Sequence, residues 1–215
     1  MVELIAEFYR SVEPLEARQL NRGQICWGPV LYMSTQIQSV ALASYDPEDE
    51  RRNRYAILPS EPDDEALFNH MPVHELRLQN DEELLVNRAK RRPVIVVSQK
   101  NQDWNMGGTR LSERGLVCVP MYSFQDSDSS EFRSRIKAQE YPWWIYLPEG
   151  RGMREGFARL DRLQVIEESH LQPRFSALTD DALWFVSEWL RYYMTNEIDP
   201  LFWDARQESI QSLLQ

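Results

Sequence analysis

Apolar residues along this chain come in short runs broken by glycine, proline and charge, a pattern that predicts many short strands and few helices. The first clear run is 24–33, Gln-Ile-Cys-Trp-Gly-Pro-Val-Leu-Tyr-Met, where Gly28-Pro29 predicts a bulge, a bend or an edge position. Ser39 to Ala43 and Tyr55 to Leu58 read as further short strands around a charged loop from Asp46 to Arg54. Val94-Ile-Val-Val-Ser98 is a β-branched run of the kind buried on both faces. Leu116 to Phe124, Trp143 to Leu147 and Gly156 to Leu160 complete the strand set, and Gly107-Gly108 marks a turn. Residues 3–10 read as a short helix, and 125–140 is polar enough to be loop or helix. After Pro173, Thr179 or Asp180 can cap a helix running to about Met194, with Leu183, Val186, Trp189, Leu190 and Tyr193 at helical spacing.

Strands and helices do not alternate as a parallel α/β sheet requires. The expected fold is mainly β with helices: a small, curved SH3-like β-barrel with a C-terminal helix and a long insertion after the first strand. No internal repeat or clean linker stands out, so residues 1–215 read as one decorated domain. Its core is 22–36 and 87–195, and the insertion is about 37–86.

Of 215 residues, 42% are hydrophobic and 27% charged, which suits a globular chain with a real core. No apolar run approaches the roughly 20 residues of a membrane helix, and the N-terminus lacks the basic start and apolar run of a signal peptide. A cytoplasmic protein without membrane contact is expected. Cys26 and Cys118 each sit in a strand-like run and read as buried free thiols. The formal net charge of −10 argues against simple non-specific nucleic-acid binding. The charge is uneven, though: Val86 to Arg162 holds 14 Lys and Arg against 9 Asp and Glu, a net of +5 that leaves −15 elsewhere. That middle is compatible with a polyanion site and equally with solvated faces.

Four blocks occur in an order that resembles the PemK/MazF-like toxins: Arg22-Gly-Gln-Ile-Cys-Trp27, Arg91-Arg92-Pro93-Val-Ile-Val-Val-Ser98, Leu116-Val-Cys-Val-Pro-Met-Tyr-Ser123 and Gly156-Phe-Ala-Arg-Leu-Asp-Arg-Leu-Gln-Val-Ile166. The resemblance implies an endoribonuclease that cleaves single-stranded RNA without a metal or cofactor, is usually a homodimer, and is inhibited by an antitoxin protein. Arg92 then falls on the family's catalytic arginine, where a guanidinium can hold phosphate oxygens and a developing phosphorane. The family's threonine falls on Tyr122, with Ser123 beside it as the alternative if the register shifts. Arg162 and Gln164 stand where the family shows Gln-x-Arg and would share one strand face. Arg91 and Trp27 are further RNA-binding candidates, and Trp27 or Trp104 could stack bases.

The alternative is a catalytically silent member that binds protein or nucleic acid, favoured by the net charge and the absent threonine. A third is shared architecture alone. The acidic insertion reads either as a lid on the basic groove or as an added subdomain. Other templates find no support. His70, His74 and His170 make no zinc pattern, Pro72 breaks the helix that would align the first two, and Walker, nucleophile-elbow and dinucleotide motifs are missing.

Overall fold

The computed structural model describes residues 7–32, 37–44, 46, 48, 49, 52, 54–60, 87–99, 104–106, 109–111, 115–197 and 199–204. The elements run β1 (Tyr9–Ser11), α1 (Pro14–Ala17), β2 (Gln24–Leu31), β3 (Ile37–Ser44), β4 (Arg54–Ser60) and β5 (Ala89–Val96). Then follow β6 (Trp104–Met106), β7 (Thr109–Leu111), β8 (Gly115–Ser123), α2 (Ser130–Lys137), β9 (Trp144–Leu147) and β10 (Gly156–Arg159). The chain closes with β11 (Gln164–Glu167), β12 (Gln172–Leu178) and α3 (Asp180–Thr195). It divides into two compact units, one of residues 31–90 and one of 1–30 with 91–215. In the first, β3 and β4 form an antiparallel pair. His70 and His74 lie outside the described residues.

The larger unit is an eight-stranded sheet in the order β1-β12-β2-β5-β8-β10-β9, with β11 also on β8. The mainly β fold with a C-terminal helix is what the chain adopts, and the sheet is curled but not closed. The nine residues of β8 serve two partners in succession. Leu116 to Cys118 pair with Ile166 to Gln164 on β11, and Met121 to Ser123 pair with Ala158 to Gly156 on β10. β6 and β7 pair antiparallel as strands the apolar pattern does not reveal, and the turn expected at Gly107-Gly108 lies outside the described residues.

Alternation along the strands builds two cores, because successive side chains of a strand point to opposite faces. Ile25, Ile95, Val119, Met121, Ile145, Leu147 and Ala158 lie on one face and pack with α3. Cys26, Val94, Val96, Leu116, Cys118 and Ile166 form the other core, inside the curl. The β-branched run at 94–97 is therefore buried on both sides, as its sequence predicts. The inner core is tight at Gly28, where a Cβ would meet Leu171 Cδ2 at 3.0 Å and Ile166 Cδ1 at 3.1 Å. Pro29 lies two residues beyond Trp27, where β12 begins at Gln172, so the proline sits past the end of the β2–β12 pairing.

Thr179 caps α3 by accepting from the Ala182 N–H at 3.4 Å, Asp180 and Asp181 fill the first turn, and left-handed Asn196 ends the helix. The buried stripe is Ala182, Phe185, Val186 and Trp189, while Tyr193 is exposed. Residues 200–204 turn back as a helical segment and seat Phe202 edge-on against Trp189, with ring centroids 5.6 Å apart.

One expectation is corrected, and two stretches the pattern left open are resolved. Residues 7–10 are not helical: Tyr9–Ser11 is a strand on β12, and the nearby helix starts at Pro14, where proline suits a first turn. Residues 172–178, for which the apolar pattern predicts no element, form a strand. The polar stretch 125–140 contains α2, capped by Ser129.

Two outcomes follow from this core. Trp189→Ala should cost about 3–5 kcal/mol, the usual range for deleting a buried large aromatic, and chemical denaturation would read it. Cys26 and Cys118 are free and buried, and burial pushes both thiols up to about 12. A thiol reagent at pH 8 should leave both unmodified in the native protein and titrate both after unfolding; rapid native labelling would contradict this packing.

Candidate functional site

The register places one set of side chains on the face of β8, β9 and β10 that points away from α3. Phe157 stands opposite Tyr122 and Tyr146, and Arg159 stands opposite Trp144. Val94 pairs with Pro120, so Arg92, two residues back, lies on the same face as Tyr122, two residues on. Their side chains meet. The Arg92 guanidinium lies 4.5 Å from the Tyr122 ring centroid, and Tyr122 stacks on Phe157 at 5.6 Å. Arg159 lies over the same Tyr122 ring at 5.9 Å and over Trp144 at 5.1 Å. The strands approach closely here, since a Cβ on Gly156 would fall 1.9 Å from the Tyr122 carbonyl oxygen.

The two arginines differ in electrostatic state. Arg159 donates to Asp161 through both Nε, at 3.0 Å, and Nη2, and this pairing raises its already high pKa. Asp161 also accepts from Trp144 Nε1 at 3.2 Å. The charge of Arg159 is thus largely balanced and its position fixed. Arg92 has no carboxylate within ion-pair distance among the described residues; its recorded contact is the face of Tyr122. A guanidinium held by a ring keeps its five donors for another acceptor.

A second polar group lines the rim. Glu155 accepts from Tyr146 Oη and pairs with Lys137 Nζ, both at 2.6 Å. Burial pushes Glu155 up, but the bonds from Lys137 and Tyr146, with the charges of Lys137 and Arg133, outweigh it and hold the carboxyl below its ordinary range. Burial, reinforced by the bond to Glu155, pushes Tyr146 well above the usual phenol range. Tyr146 is thus committed as a donor to Glu155, and Tyr122 is the phenol beside the arginine that has no carboxylate partner among the described residues.

The remaining sequence candidates scatter. Ser123 pairs with Gly156 and shares its face with Met121 and Leu147, on the α3 side of the sheet, so it cannot join Arg92 in this register. Arg162 and Gln164 do not share a strand face. Arg162 closes a 3-10 turn, Leu160–Arg162, with its Nε 3.9 Å from Asp161, whereas Gln164 opens β11 opposite Cys118. Asp161 breaks the strand because its side chain is held by Trp144 and Arg159, and the chain must step from the β10 position to the β11 position along β8. Arg91 and Trp27 lie together on the opposite face from Arg92, with the Arg91 guanidinium 5.4 Å from the Trp27 ring. Trp104 is a residue of β6.

Sequence reading passed over Arg159 and Trp144, although Phe157 and Arg159 fall two apart in Gly156-Phe-Ala-Arg159 and so share a face. Arg174, which also lies over Trp27, was hidden because the proline beside it obscured strand β12. Among the described residues no group of three His, Cys, Asp or Glu could hold a metal ion, and no helix is long and apolar enough to cross a membrane.

Gly156→Ala should push β10 off β8, since the new methyl would overlap main-chain atoms that cannot swing aside. The expected result is a stability loss on the scale of overpacking, about 1–3 kcal/mol or more, with a weakened near-ultraviolet signal from the Tyr122–Phe157–Trp144 stack. An unchanged melting transition and spectrum would contradict the close approach. In the comparisons with known proteins, no protein-family model matches this chain and no curated protein matches it.

Proposed function

We propose that this protein is a metal-independent endoribonuclease acting on single-stranded RNA, with Arg92 and Tyr122 at the reacting phosphate. The observation that carries the reading is the Arg92 guanidinium, without a carboxylate partner among the described residues, lying 4.5 Å over a tyrosine ring that Arg159 also approaches. The ribose 2′-oxygen attacks phosphorus, its proton passes to water, and the bond from phosphorus to the 5′-oxygen breaks. Arg92 holds the non-bridging oxygens as charge accumulates on the phosphorane. Tyr122 donates its phenolic proton to the departing 5′-oxygen and regains one from water. The products are a 2′,3′-cyclic phosphate and a 5′-hydroxyl. Trp144, half-buried beside Arg159, offers a surface for a neighbouring base. The resemblance to PemK/MazF-like toxins supports the same reading and brings with it a homodimer and an inhibitory antitoxin.

A second reading, binding without cleavage, is favoured by one feature. Asp161, the carboxylate of this cluster, is committed to Arg159 and Trp144 and is not free to take the 2′-hydroxyl proton.

Incubating the protein with a long unstructured RNA in EDTA separates the two. Cleavage predicts discrete fragments ending in 2′,3′-cyclic phosphate, at least about a hundredfold slower with Arg92→Ala and slowed by a similar factor with Tyr122→Phe. Intact RNA under these conditions, with retention of the same RNA on the protein, would establish the binding reading in its place.

A further inference from the structure

Arg91 and Arg92 are consecutive at the start of β5, so the sheet carries an arginine on each face there. On the face of Arg91, Trp27 of β2 stands opposite Gln172 of β12. Two guanidiniums lie over the Trp27 ring, Arg91 at 5.4 Å and Arg174 at 5.1 Å. Arg91 donates to Gln172 Oε1, and Arg174 donates to the Gly152 carbonyl at 3.3 Å. Neither has a carboxylate within ion-pair distance among the described residues. Neutral acceptors orient these groups without cancelling their charge.

The arrangement is built rather than incidental to an exposed strand. Gln24, buried at 2% exposure, donates through Nε2 to the carbonyls of Arg174 and Ser176. It fixes the irregular stretch where the β12 register shifts between Pro173 and Ala177. Gly152, whose carbonyl receives Arg174, is held at φ 75° in a turn closed by the Gly150 and Met153 backbones at 2.8 and 3.1 Å. Two like charges over one indole repel each other, and a bound anion relieves that repulsion.

We infer that Trp27, Arg91 and Arg174 form a phosphate-binding site for the backbone of single-stranded RNA, separate from the Arg92–Tyr122 face and contributing affinity rather than chemistry. Guanidiniums suit phosphate oxygens because their planar forks bond in pairs, and such contacts are blind to base sequence. The inference rests on the RNA reading for the identity of its ligand. It does not depend on cleavage.

The test measures binding of a fully 2′-O-methylated oligonucleotide, which cannot be cleaved, across a series of salt concentrations. Each phosphate neutralised on a single strand contributes about 0.7 to the slope of log K against log salt. Arg91→Gln with Arg174→Gln should lower that slope by about 1.4 and weaken binding equally for unrelated sequences. The double lysine variant, Arg91→Lys with Arg174→Lys, should keep the slope, because charge alone sets counterion release. A slope unchanged by the glutamine pair, or lost equally with lysine, would overturn the site, as would a wild-type protein that does not bind the strand. Displacement by a polyglutamate peptide more effectively than by RNA would assign the surface to an acidic protein partner and overturn it too. Cleavage with an unchanged slope would sink this site and leave the nuclease reading standing; a reduced slope without cleavage would do the reverse.

Discussion

Strands β5 and β8 have no solvent face along their middles, and the rest of the molecule is arranged to satisfy that. Ile95 and Val119 need one cover, Val94, Val96 and Cys118 another. Helix α3 supplies the first, presenting Phe185, Val186 and Trp189. The second comes from the sheet itself: β11 pairs back onto β8 and brings Ile166 into the curl, and Leu171 closes it over Gly28. At about 25 cal/mol per Å² of apolar surface, burying both faces of two strands is worth far more than burying one face of a flat sheet. The curl is the geometry that achieves this where the described residues hold one long helix.

The same pairing decides where chemistry can lie. Both cores fade toward the start of β5 and the end of β8, where Arg92 and Tyr122 extend the face that carries Val94 and Cys118 further in. Period-two alternation then sorts neighbours without exception. Arg92 goes with Tyr122, Arg91 with Trp27, and Ser123 with Met121 and Leu147. Aromatic packing holds the Tyr122 side. Phe157 stacks between Tyr122 and Trp144, at 5.6 and 5.2 Å, and Phe132 of α2 meets both Phe157 and Trp144 edge-on. Tyr122 therefore cannot withdraw from Arg92 without unstacking Phe157, which makes the pair a fixed feature rather than a chance contact.

Much of this was legible in the residues because alternation and capping are local signals. The run at 94–97, the Thr179 cap and the strands at 116–124 and 143–147 all follow from short-range pattern. What escaped depends on partners far away in sequence. Tyr9–Ser11 is a strand because β12 lies beside it, and its three residues hold no pattern of their own. Arg162 was placed on a strand because spacing alone cannot see that Asp161 is held by Trp144 and Arg159. The pairing of Arg92 with Tyr122 was anticipated from resemblance, yet its physical basis is the β5–β8 register, which no single strand encodes.

The net charge of −10 looks at first like an argument against any polyanion. Electrostatic reach decides otherwise. At physiological ionic strength the Debye length is about 8 Å, so an anion arriving at Arg92 or Arg91 responds to charges within that radius and little to acidic residues elsewhere. The arginines divide accordingly. Arg135, Arg159 and Arg191 are each paired with a carboxylate, Glu140, Asp161 and Glu188, which offsets their charge. Arg91, Arg92 and Arg174 rest on aromatic rings, the first and last also on neutral oxygens, with no carboxylate partner among the described residues. With no carboxylate on these three guanidiniums among the described residues, their attraction stays local to the rings and is little offset by acidic residues further away. On the RNA reading proposed above, such a surface would favour an extended single strand, whose splayed bases can reach the aromatic side chains, over a duplex whose bases are stacked inside.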